Sequence, residues 1–420
     1  MPDNSKRPSS TRASRSSIAL LPAGRNCLLI ALALLAIGVH RRINLLMLLG
    51  DVLVVIVLWN LLAAGRSLRG LQVRRRFDDW LFARTPCVVE IQVSNSDQPA
   101  RVGLRIDEDC PNVADSQSES AGGNAAAALA ASCRVDCLAA QSSVNWRREV
   151  TLPRRGRYRW GAVRASSGYP FGLVERRLPL ASEETVIVLP HLGWLHRGRF
   201  LRHLRDLAVQ PRQPQLRRKL LPHPAAQAEF HGLRAYRSGD SPRLIHWRTS
   251  ARRGELMVRE FEDEPSDNLL LVVDPALPAP SSSSKKGTEE RDHRAAMREQ
   301  FEEMISLIAS ICWEWCRRRD DRLVLATATA EPTVLDGLTG PTHARRILEG
   351  LAALECGTGP VDGAVIRRLQ TRRLPAAVVV VVVLGRSTLV EPLQRALGRR
   401  VHCLDASRTD RFDFYTPPTT

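Results

Sequence analysis

Two long apolar stretches near the start of the chain most constrain how it can fold. Residues 26–39 (NCLLIALALLAIGV) carry no charge, and residues 45–65 (LLMLLGDVLVVIVLWNLLAAG) carry a single one, at Asp51. The longer stretch would be about 31 Å long as a helix, which is enough to cross the hydrocarbon core of a bilayer. The five residues between them suit a short turn. The pattern predicts a two-helix transmembrane hairpin over residues 26–65, and therefore a lipid bilayer as a partner.

Basic residues flank the predicted hairpin on its two outer sides, whereas only Arg41 and Arg42 lie in the turn. Because cytoplasmic flanks of membrane helices carry the excess of basic residues, both termini and the large C-terminal part are predicted to be cytoplasmic. Nine cysteines without framework-like spacing agree with a reducing compartment. Residues 1–25 are predicted to form a basic tail. The flanking residues are Lys6, Arg7, Arg12, Arg15 and Arg25 before the hairpin, and Arg66, Arg69, Arg74, Arg75 and Arg76 after it.

The formal net charge of +17 would suit a nucleic-acid or membrane-surface partner. However, only four of the 61 basic residues are lysines, while arginine, alanine and leucine are abundant, as a GC-rich coding bias would produce. The charge is therefore discounted as a functional signal, and no nucleic-acid partner is expected.

The middle of the chain, residues 72–183, has the pattern of a β-rich domain. Residues 87–95 and 101–107 alternate apolar and polar side chains over the length of a strand, and a second group of such stretches begins near Val144. Short strands with polar turns indicate an antiparallel sandwich or barrel. Residues 112–132 include a low-complexity run that predicts a surface insertion. The turn in residues 167–174 (SGYPFGLV) is expected to place one aromatic ring in the core.

Residues 184–410 have the pattern of a parallel α/β domain, and residues 411–420 are predicted to be a tail. Near-continuous apolar runs of strand length alternate with stretches of helical periodicity, which is typical of a doubly wound sheet buried on both faces. The predicted strands are residues 184–190, 268–274, 322–328, 376–385 and 400–406, and the predicted helices are residues 292–318, 342–355 and 388–398.

Asp274 ends the first strong strand of this domain, where open α/β sheets present side chains to ligands. A von Willebrand factor A domain has the metal-binding pattern Asp-x-Ser-x-Ser at that point. Here Ala276 and Pro278 replace the two hydroxyl ligands, and one carboxylate supplies too few oxygens for magnesium. Asp274 is therefore a weak metal candidate, and we expect neither a metal nor a cofactor.

The stretch from Tyr236 to Glu264 concentrates six arginines, a tryptophan and several acids. Ser241 and Pro242 suit a helix start and Gly254 a helix end, which would place Leu244, Trp247 and Ala251 on one face. The following residues alternate as a strand. We expect the arginines to pair with nearby acids and fix a structural arch. Those acids are Glu260, Glu262, Asp263 and Glu264.

Three functions compete for this segment. Nucleic-acid binding requires exposed aromatic rings among the arginines, but Trp247 and Tyr236 both suit a core. A hydrolase would use Asp240, His246 and Ser250 as a triad, although the spacing supplies neither a strained nucleophile turn nor oxyanion donors. The third function is a structural or partner-docking role.

The segment resembles the signature of the bacterial family called domain of unknown function 58. The resemblance extends to the membrane hairpin and to two motifs of the β-rich region, RRGxY at residues 154–158 and PFGL at residues 170–173, where Tyr169 replaces the family's usual aspartate. The motif that carries it reads Gly232-Leu233-Arg234-x-Tyr236-x-x-Gly239-Asp240-x-x-Arg243-x-Ile245-His246-Trp247-Arg248-x-Ser250-Ala251-Arg252, followed by Leu256-x-Val258-Arg259-x-Phe261-Glu262.

The resemblance implies a bacterial inner-membrane protein with a von Willebrand A-like C-terminal domain over residues 184–410, which carries the signature in residues 230–264. It also implies a non-enzymatic adaptor that works with a MoxR-type AAA+ ATPase and often with a transglutaminase-like membrane protein. The signature residues form the predicted partner-docking surface. They are Tyr236, Gly239, Asp240, Arg243, His246, Trp247, Arg248, Ser250, Ala251 and Arg252.

Overall fold

The two apolar stretches form a pair of antiparallel helices, α1 (Pro22–Arg41) and α2 (Asn44–Ser67). Arg42 links them in a left-handed conformation, and its backbone N–H donates to the carbonyls of Gly38 and Val39. Gly50 lets the helices approach closely, because a Cβ there would lie 2.6 Å from Cγ of Leu35. Both helices are long and apolar enough to cross a membrane, and in their most apolar stretches only 17% and 11% of the residues are buried. The predicted pair of helices is confirmed, with α1 beginning at Pro22 rather than at residue 26.

The chain divides into two compact units, Met1–His191 and Leu192–Thr420. The computed structural model describes residues 16–418, except for 110, 114–130, 207–228, 238–239, 241, 263–267, 278–287, 319–320, 358–362, 373–377 and 386. Most of the predicted insertion at 112–132 and residues 1–15 of the basic tail therefore lie outside the described residues.

The rest of the first unit is β-rich, as predicted, and consists of three antiparallel sheets that share one core. The five-stranded sheet has the order β1-β10-β9-β4-β6, and the two smaller sheets have the orders β2-β3-β7 and β11-β8-β5. The strands are β1 Ser17–Leu20, β2 Leu71–Phe77, β3 Pro86–Asn95, β4 Arg101–Glu108, β5 Asn112–Val113, β6 Ala131–Leu138, β7 Ser143–Thr151, β8 Gly156–Trp160, β9 Val163–Ser167, β10 Val174–Ala181 and β11 Glu184–Val188.

Two strands of this unit correct the predicted boundaries. Residues 184–190 were expected to begin the α/β domain, but β11 pairs antiparallel with β8 in the first unit. The boundary consequently follows His191. Strand β1, from the predicted basic tail, pairs with β10. Both strands are short and apolar, so the composition of each one does not reveal which sheet it will join.

A buried ionic cluster lies inside the β-rich core and is centred on Glu108 at the end of β4. The Glu108 side chain is fully buried, and its Oε1 atom lies 2.9 Å from Nε of Arg75 and accepts a 2.9 Å hydrogen bond from the indole N–H of Trp160. Its Oε2 atom pairs with Arg148. Burial lowers the pKa of Arg75, an effect that the Glu108 carboxylate opposes. One carboxylate thus offsets two largely buried guanidinium groups.

The turn between β9 and β10, residues 168–174, holds the end of α2. Asn60 of α2 is fully buried, and its Nδ2 donates to the carbonyl of Gly168 at 3.0 Å. Its Oδ1 accepts from the backbone N–H groups of Leu173 at 3.0 Å and Val174 at 2.7 Å. The expectation that this turn places an aromatic ring in the core is wrong, since the turn's backbone packs on the helix instead. Its two rings are exposed, Tyr169 by 45% and Phe171 by 56%.

The second unit contains a five-stranded mixed sheet with the order β17-β16-β15-β18-β19. The four strands β16, β15, β18 and β19 are parallel as predicted, whereas β17 is an antiparallel edge strand that the sequence patterns did not indicate. The central strands of this sheet, β15 and β18, are buried on both faces. The strands are β15 Leu269–Val273, β16 Arg322–Thr327, β17 Val334–Leu338, β18 Val378–Val383 and β19 Val401–Asp405.

The helices of the second unit are α3 Arg197–Asp206, α4 Trp247–Arg253, α5 Thr288–Cys316, α6 Pro341–Ala352, α7 Ala364–Gln370 and α8 Val390–Leu397. The helix predicted over residues 292–318 is α5, and its Met304, Ile305, Ile308 and Ile311 have no exposed surface. Helices α3 and α7 were not anticipated, because each is short and rich in arginine.

The two ends of the second unit pair with each other. Strand β12 (Trp194–Leu195) forms an antiparallel ladder with β20 (Tyr415–Thr416). Phe414 is fully buried, and its ring lies 5.1 Å from that of Phe200 on α3. Residues 411–420, predicted to be a tail, are therefore part of the fold as far as residue 418.

Candidate functional site

The arginine-rich segment forms an arch on a two-stranded frame. Strands β13 (Glu229–Ala235) and β14 (Met257–Glu262) pair antiparallel, and α4 lies in the connection between them. The predicted helix end is confirmed, because Gly254 caps α4 in a left-handed conformation and donates its N–H to the carbonyl of Ser250. The predicted strand after Gly254 is β14. The connection is closed by a backbone bond from Tyr236 N–H to the carbonyl of Leu256 at 2.7 Å.

Asp240 fixes the bend that leads into the arch. Arg234 donates two hydrogen bonds to the Asp240 carboxylate, each 2.7 Å long, and the backbone N–H of Arg237 donates a third at 2.8 Å. The bidentate bond from Arg234, followed by the Arg237 backbone, lowers the pKa of Asp240 to about 2. A planar guanidinium matches both carboxylate oxygens at once, so this pair sets a defined geometry.

His246 and Ser250 join α4 to β14. The Nδ1 atom of His246 caps the helix by accepting from the backbone N–H of Thr249 at 3.2 Å, and it lies 2.8 Å from the Thr249 hydroxyl. The buried Ser250 hydroxyl donates to the carbonyl of His246 at 3.1 Å and accepts from the N–H of Met257 at 2.8 Å. These side chains therefore satisfy backbone groups at the helix start and along the strand.

The arch does not connect Asp240, His246 and Ser250 as a triad. Within the described residues, no hydrogen bond joins the side chains of any two of them. Asp240 is engaged by Arg234, and the Ser250 hydroxyl is buried against β14 rather than presented to a substrate. The geometry of a base-activated serine is thus not formed.

The short helix α4 exposes an aromatic ring and three arginines. Trp247 is 64% exposed, and Arg248, Arg252 and Arg253 are exposed beside it on the same short helix. Among the residues that the structure describes, no acid pairs with any of these three arginines. The acids expected to pair with them, from Glu260 to Glu264, have side chains outside the described part of the chain. Tyr236 is 36% exposed at the edge of the same arch.

The expectation that Trp247 and Tyr236 lie in a core is wrong, and the helix start explains the error. Residues Pro242–Leu244 form a separate 3-10 turn, Ile245 bridges to Val258, and α4 begins only at Trp247. The helical phase that would place Leu244 and Trp247 on one face is therefore broken between them. Leu244, Ile245 and Val258 form a small core without the tryptophan.

The signature residues fall into two groups, one that holds the arch together and one that lies on its surface. Ala251 is exposed on α4, while Gly239 and the side chain of Arg243 lie outside the described residues. The structure thus divides the signature into Asp240, His246 and Ser250, which hold the arch together, and Trp247, Arg248 and Arg252, which lie on its surface. Sequence spacing alone did not distinguish these two groups, because both consist of polar or aromatic residues within one short segment.

Asp274 lies at the C-terminal end of β15, where the sheet order reverses between β15 and β18. It is buried, and its Oδ1 accepts from the N–H of Ala276 at 3.1 Å. Its Oδ2 accepts from the Ser387 hydroxyl at 2.5 Å, across the point of reversal. Both oxygens therefore have partners from the chain itself. Among the described residues, no group of three or more histidine, cysteine or acidic side chains could hold a metal.

These features define a class of protein with two membrane-length helices, a β-rich unit, and a mixed α/β unit that carries a guanidinium-rich arch. Residues 232–412 match the family described as "Protein of unknown function DUF58". The resemblance based on the signature motif is thereby confirmed.

The chain is also similar to the uncharacterized protein YeaD of Bacillus subtilis (strain 168), with 27% identity over 208 residues. That match covers 50% of this chain and 45% of YeaD, so the chain spans less than half of its relative's length.

Solved structures match only weakly. The CARDB domain of the PF1109 protein from Pyrococcus furiosus is 13% identical, with a TM-score of 0.19 over 28% of this chain and 91% of that domain. The putative ApaA protein from Bordetella pertussis is 13% identical, with a TM-score of 0.17 over 28% of this chain and 91% of that protein. Similarities at this level do not indicate a shared fold or function.

Proposed function

We propose that the chain is a non-enzymatic adaptor, held by its helix pair in the bacterial inner membrane with both termini and its soluble units in the cytoplasm. Its partner is a MoxR-type AAA+ ATPase, and the pair acts in the assembly or maturation of membrane or cell-envelope complexes. A transglutaminase-like membrane protein is a further partner of the same system. The four parallel strands, with Asp274 at the end of β15, support a von Willebrand A-like character for the second unit.

The observation that carries this proposal is the exposure of the tryptophan and arginine side chains of α4. Tryptophan and arginine are the residues that most often dominate the binding energy of protein interfaces. Here a 64% exposed Trp247 lies beside three arginines that have no acidic partner in the described residues. The helix that presents them is capped at both ends and is bonded to β14 through Ser250. A partner therefore meets a surface that is already ordered, which lowers the entropic cost of binding.

A pull-down from lipid nanodiscs tests the proposal. The full-length protein is expected to retain the MoxR-type ATPase of the same organism in the presence of ATP or a non-hydrolysable analogue. Replacing Trp247 with alanine is expected to weaken binding by about 2 kcal/mol or more, which is roughly thirtyfold in Kd. Arg252→Glu is expected to weaken it further, because it places a like charge against the acidic surface that arginines select.

The control is Trp194→Ala, since Trp194 is a 66% exposed tryptophan elsewhere in the second unit. This variant is expected to bind as the wild type does. Recovery of no ATPase by the wild type in either nucleotide state would refute the partner. Equal binding by wild type, Trp247→Ala and Arg252→Glu would refute the surface.

Nucleic-acid binding is the second candidate, and the exposure of the aromatic rings favours it more than the sequence did. Exposed Trp247 and Tyr236 near exposed arginines provide the stacking surface and the positive charge that single strands require. This alternative predicts a shift of single-stranded DNA at low salt, lost in Trp247→Ala, with an affinity that falls steeply as salt increases. Absence of a shift at low salt would exclude it.

A further inference from the structure

We propose that the turn at residues 168–174 is an interfacial lipid anchor, whose Tyr169 and Phe171 rings insert among the headgroups at the cytoplasmic end of the helix pair. The inference rests on the proposed membrane span and adds a second contact with the bilayer, made by the β-rich domain itself. The occupant of this surface is lipid.

The turn has a fixed height along the helices. Asn60 makes three hydrogen bonds to its backbone, and the N–H of Leu21 donates to the carbonyl of Leu173 at 3.1 Å. Gly24 of α1 packs so closely that a Cβ there would lie 2.1 Å from the Leu173 carbonyl oxygen. Both helices therefore hold the turn, and it cannot slide along them.

The height of the turn along the helices coincides with the membrane boundary. From Asn44, where α2 begins, to Asn60 the helix is about 25 Å long at 1.5 Å per residue, which is less than the ~30 Å thickness of a hydrocarbon core. If the helix pair spans the bilayer, the level of Asn60 lies within about 5 Å of the cytoplasmic edge of the hydrocarbon. The turn bonded to Asn60 then lies where hydrocarbon meets headgroups, and any tilt of the helices would draw it closer to the lipid.

The turn and its surroundings have the surface chemistry of the interfacial layer. Tyr169 is 45% exposed and Phe171 is 56% exposed, and aromatic rings are enriched where hydrocarbon meets headgroups. Ile18 of β1, three residues before Leu21, is 57% exposed. On α2, Trp59 beside Asn60 is 58% exposed. The apolar surface thus continues from the exposed face of the helices onto the β-rich domain, and this continuity favours lipid over a separate protein partner.

The hydrogen bonds of Asn60 also suit a position at the membrane boundary. Asn60 would be costly in hydrocarbon if its amide were unpaired, but the turn satisfies both its oxygen and its nitrogen. The turn therefore allows a polar residue at this depth and at the same time directs its own aromatic rings outward.

Quenching by brominated lipids tests the proposal with the full-length protein in nanodiscs. Phe171→Trp adds a fluorophore at the turn, and its emission is obtained as the difference from the wild type. We expect this added emission to be lost when the lipids carry bromine near the top of the acyl chains, and to be shielded from a soluble quencher. The matched control is Val88→Trp, because Val88 is 38% exposed in the same domain, on the end of β3 remote from Asn95 and the helix pair. Its emission is expected to show the opposite response.

The membrane span is measured separately by the wild type minus Trp59→Phe difference, which isolates the emission of Trp59. If Trp59 is quenched by brominated lipid while tryptophan at position 171 behaves like tryptophan at position 88, the lipid anchor is refuted and the span remains. If neither Trp59 nor position 171 is quenched, both the span and the anchor are refuted. Quenching at Trp59 and at position 171, but not at position 88, supports the anchor.

Discussion

Glu108→Ala is expected to destabilise the β-rich domain strongly. The substitution removes the carboxylate that lies between Arg75 and Arg148 and leaves two largely buried guanidinium groups facing each other, with the Trp160 N–H also unpaired. Breaking a buried ion pair by removing one partner costs about 3–5 kcal/mol. That is a large share of the ~5–15 kcal/mol that stabilises a typical domain. Thermal unfolding, followed by the emission of tryptophan in the purified protein, measures the loss.

The control for this prediction is Glu90→Gln. Glu90 pairs with Arg147 at 3.0 Å on the same domain, but the Arg147 side chain is 71% exposed, so the pair contributes about 0–1 kcal/mol. Glu108→Gln is expected to lie between the two variants, because an amide can still accept from Trp160 while its charge is lost. A Glu108→Ala protein as stable as Glu90→Gln would show that the cluster does not stabilise the core.

Asn60→Leu is expected to loosen the turn at residues 168–174 from α2. Leucine has the same branching and number of heavy atoms and suits a membrane helix, but it cannot replace the three hydrogen bonds to Gly168, Leu173 and Val174. Each polar backbone group left unpaired in a buried position costs about 1–3 kcal/mol. Limited proteolysis of the nanodisc-bound protein should then cleave the turn at residues 168–174, which the wild type protects.

Asn26→Leu provides the matched control, because Asn26 lies on α1 with an exposed side chain. This variant is expected to resist proteolysis as the wild type does. Equal resistance of Asn60→Leu and Asn26→Leu would contradict the assigned role of Asn60. An additional comparison with Asn60→Gln shows whether the amide alone, or its exact reach, is required.

The sequence predicted the elements whose own composition determines their environment. The helix pair follows from two uncharged apolar stretches, and strands β15 and β18 follow from continuous apolar runs that only a doubly covered sheet can bury. Strand β11 has the same apolar character as β15, but it joins the first unit through β8. Which sheet a short apolar strand joins is decided by its pairing partner, and this information lies in distant residues rather than in the strand.

The site was predicted less completely than the fold. Gly254 was correctly identified as the end of a helix, because a glycine that follows a run of helix-compatible residues commonly caps the helix in a left-handed conformation. The exposure of Trp247 was not predicted, since it depends on a 3-10 turn that interrupts the helical phase just before it. The bond between Arg234 and Asp240 also could not be identified, because several arginines stand at similar distances along the chain and only the β13–β14 frame selects one of them.

The pairing of β12 with β20 determines how the second unit would respond to mechanical tension. Because Trp194 and Thr416 are opposite each other, a force that pulls the two ends of the second unit apart acts on adjacent strands in an unzipping direction, breaking their bonds one after another. The bond from His196 N–H to the carbonyl of Phe414 follows next in the same seam. The β12–β20 ladder would therefore separate first, and only then would the force act on the parallel strands of the sheet.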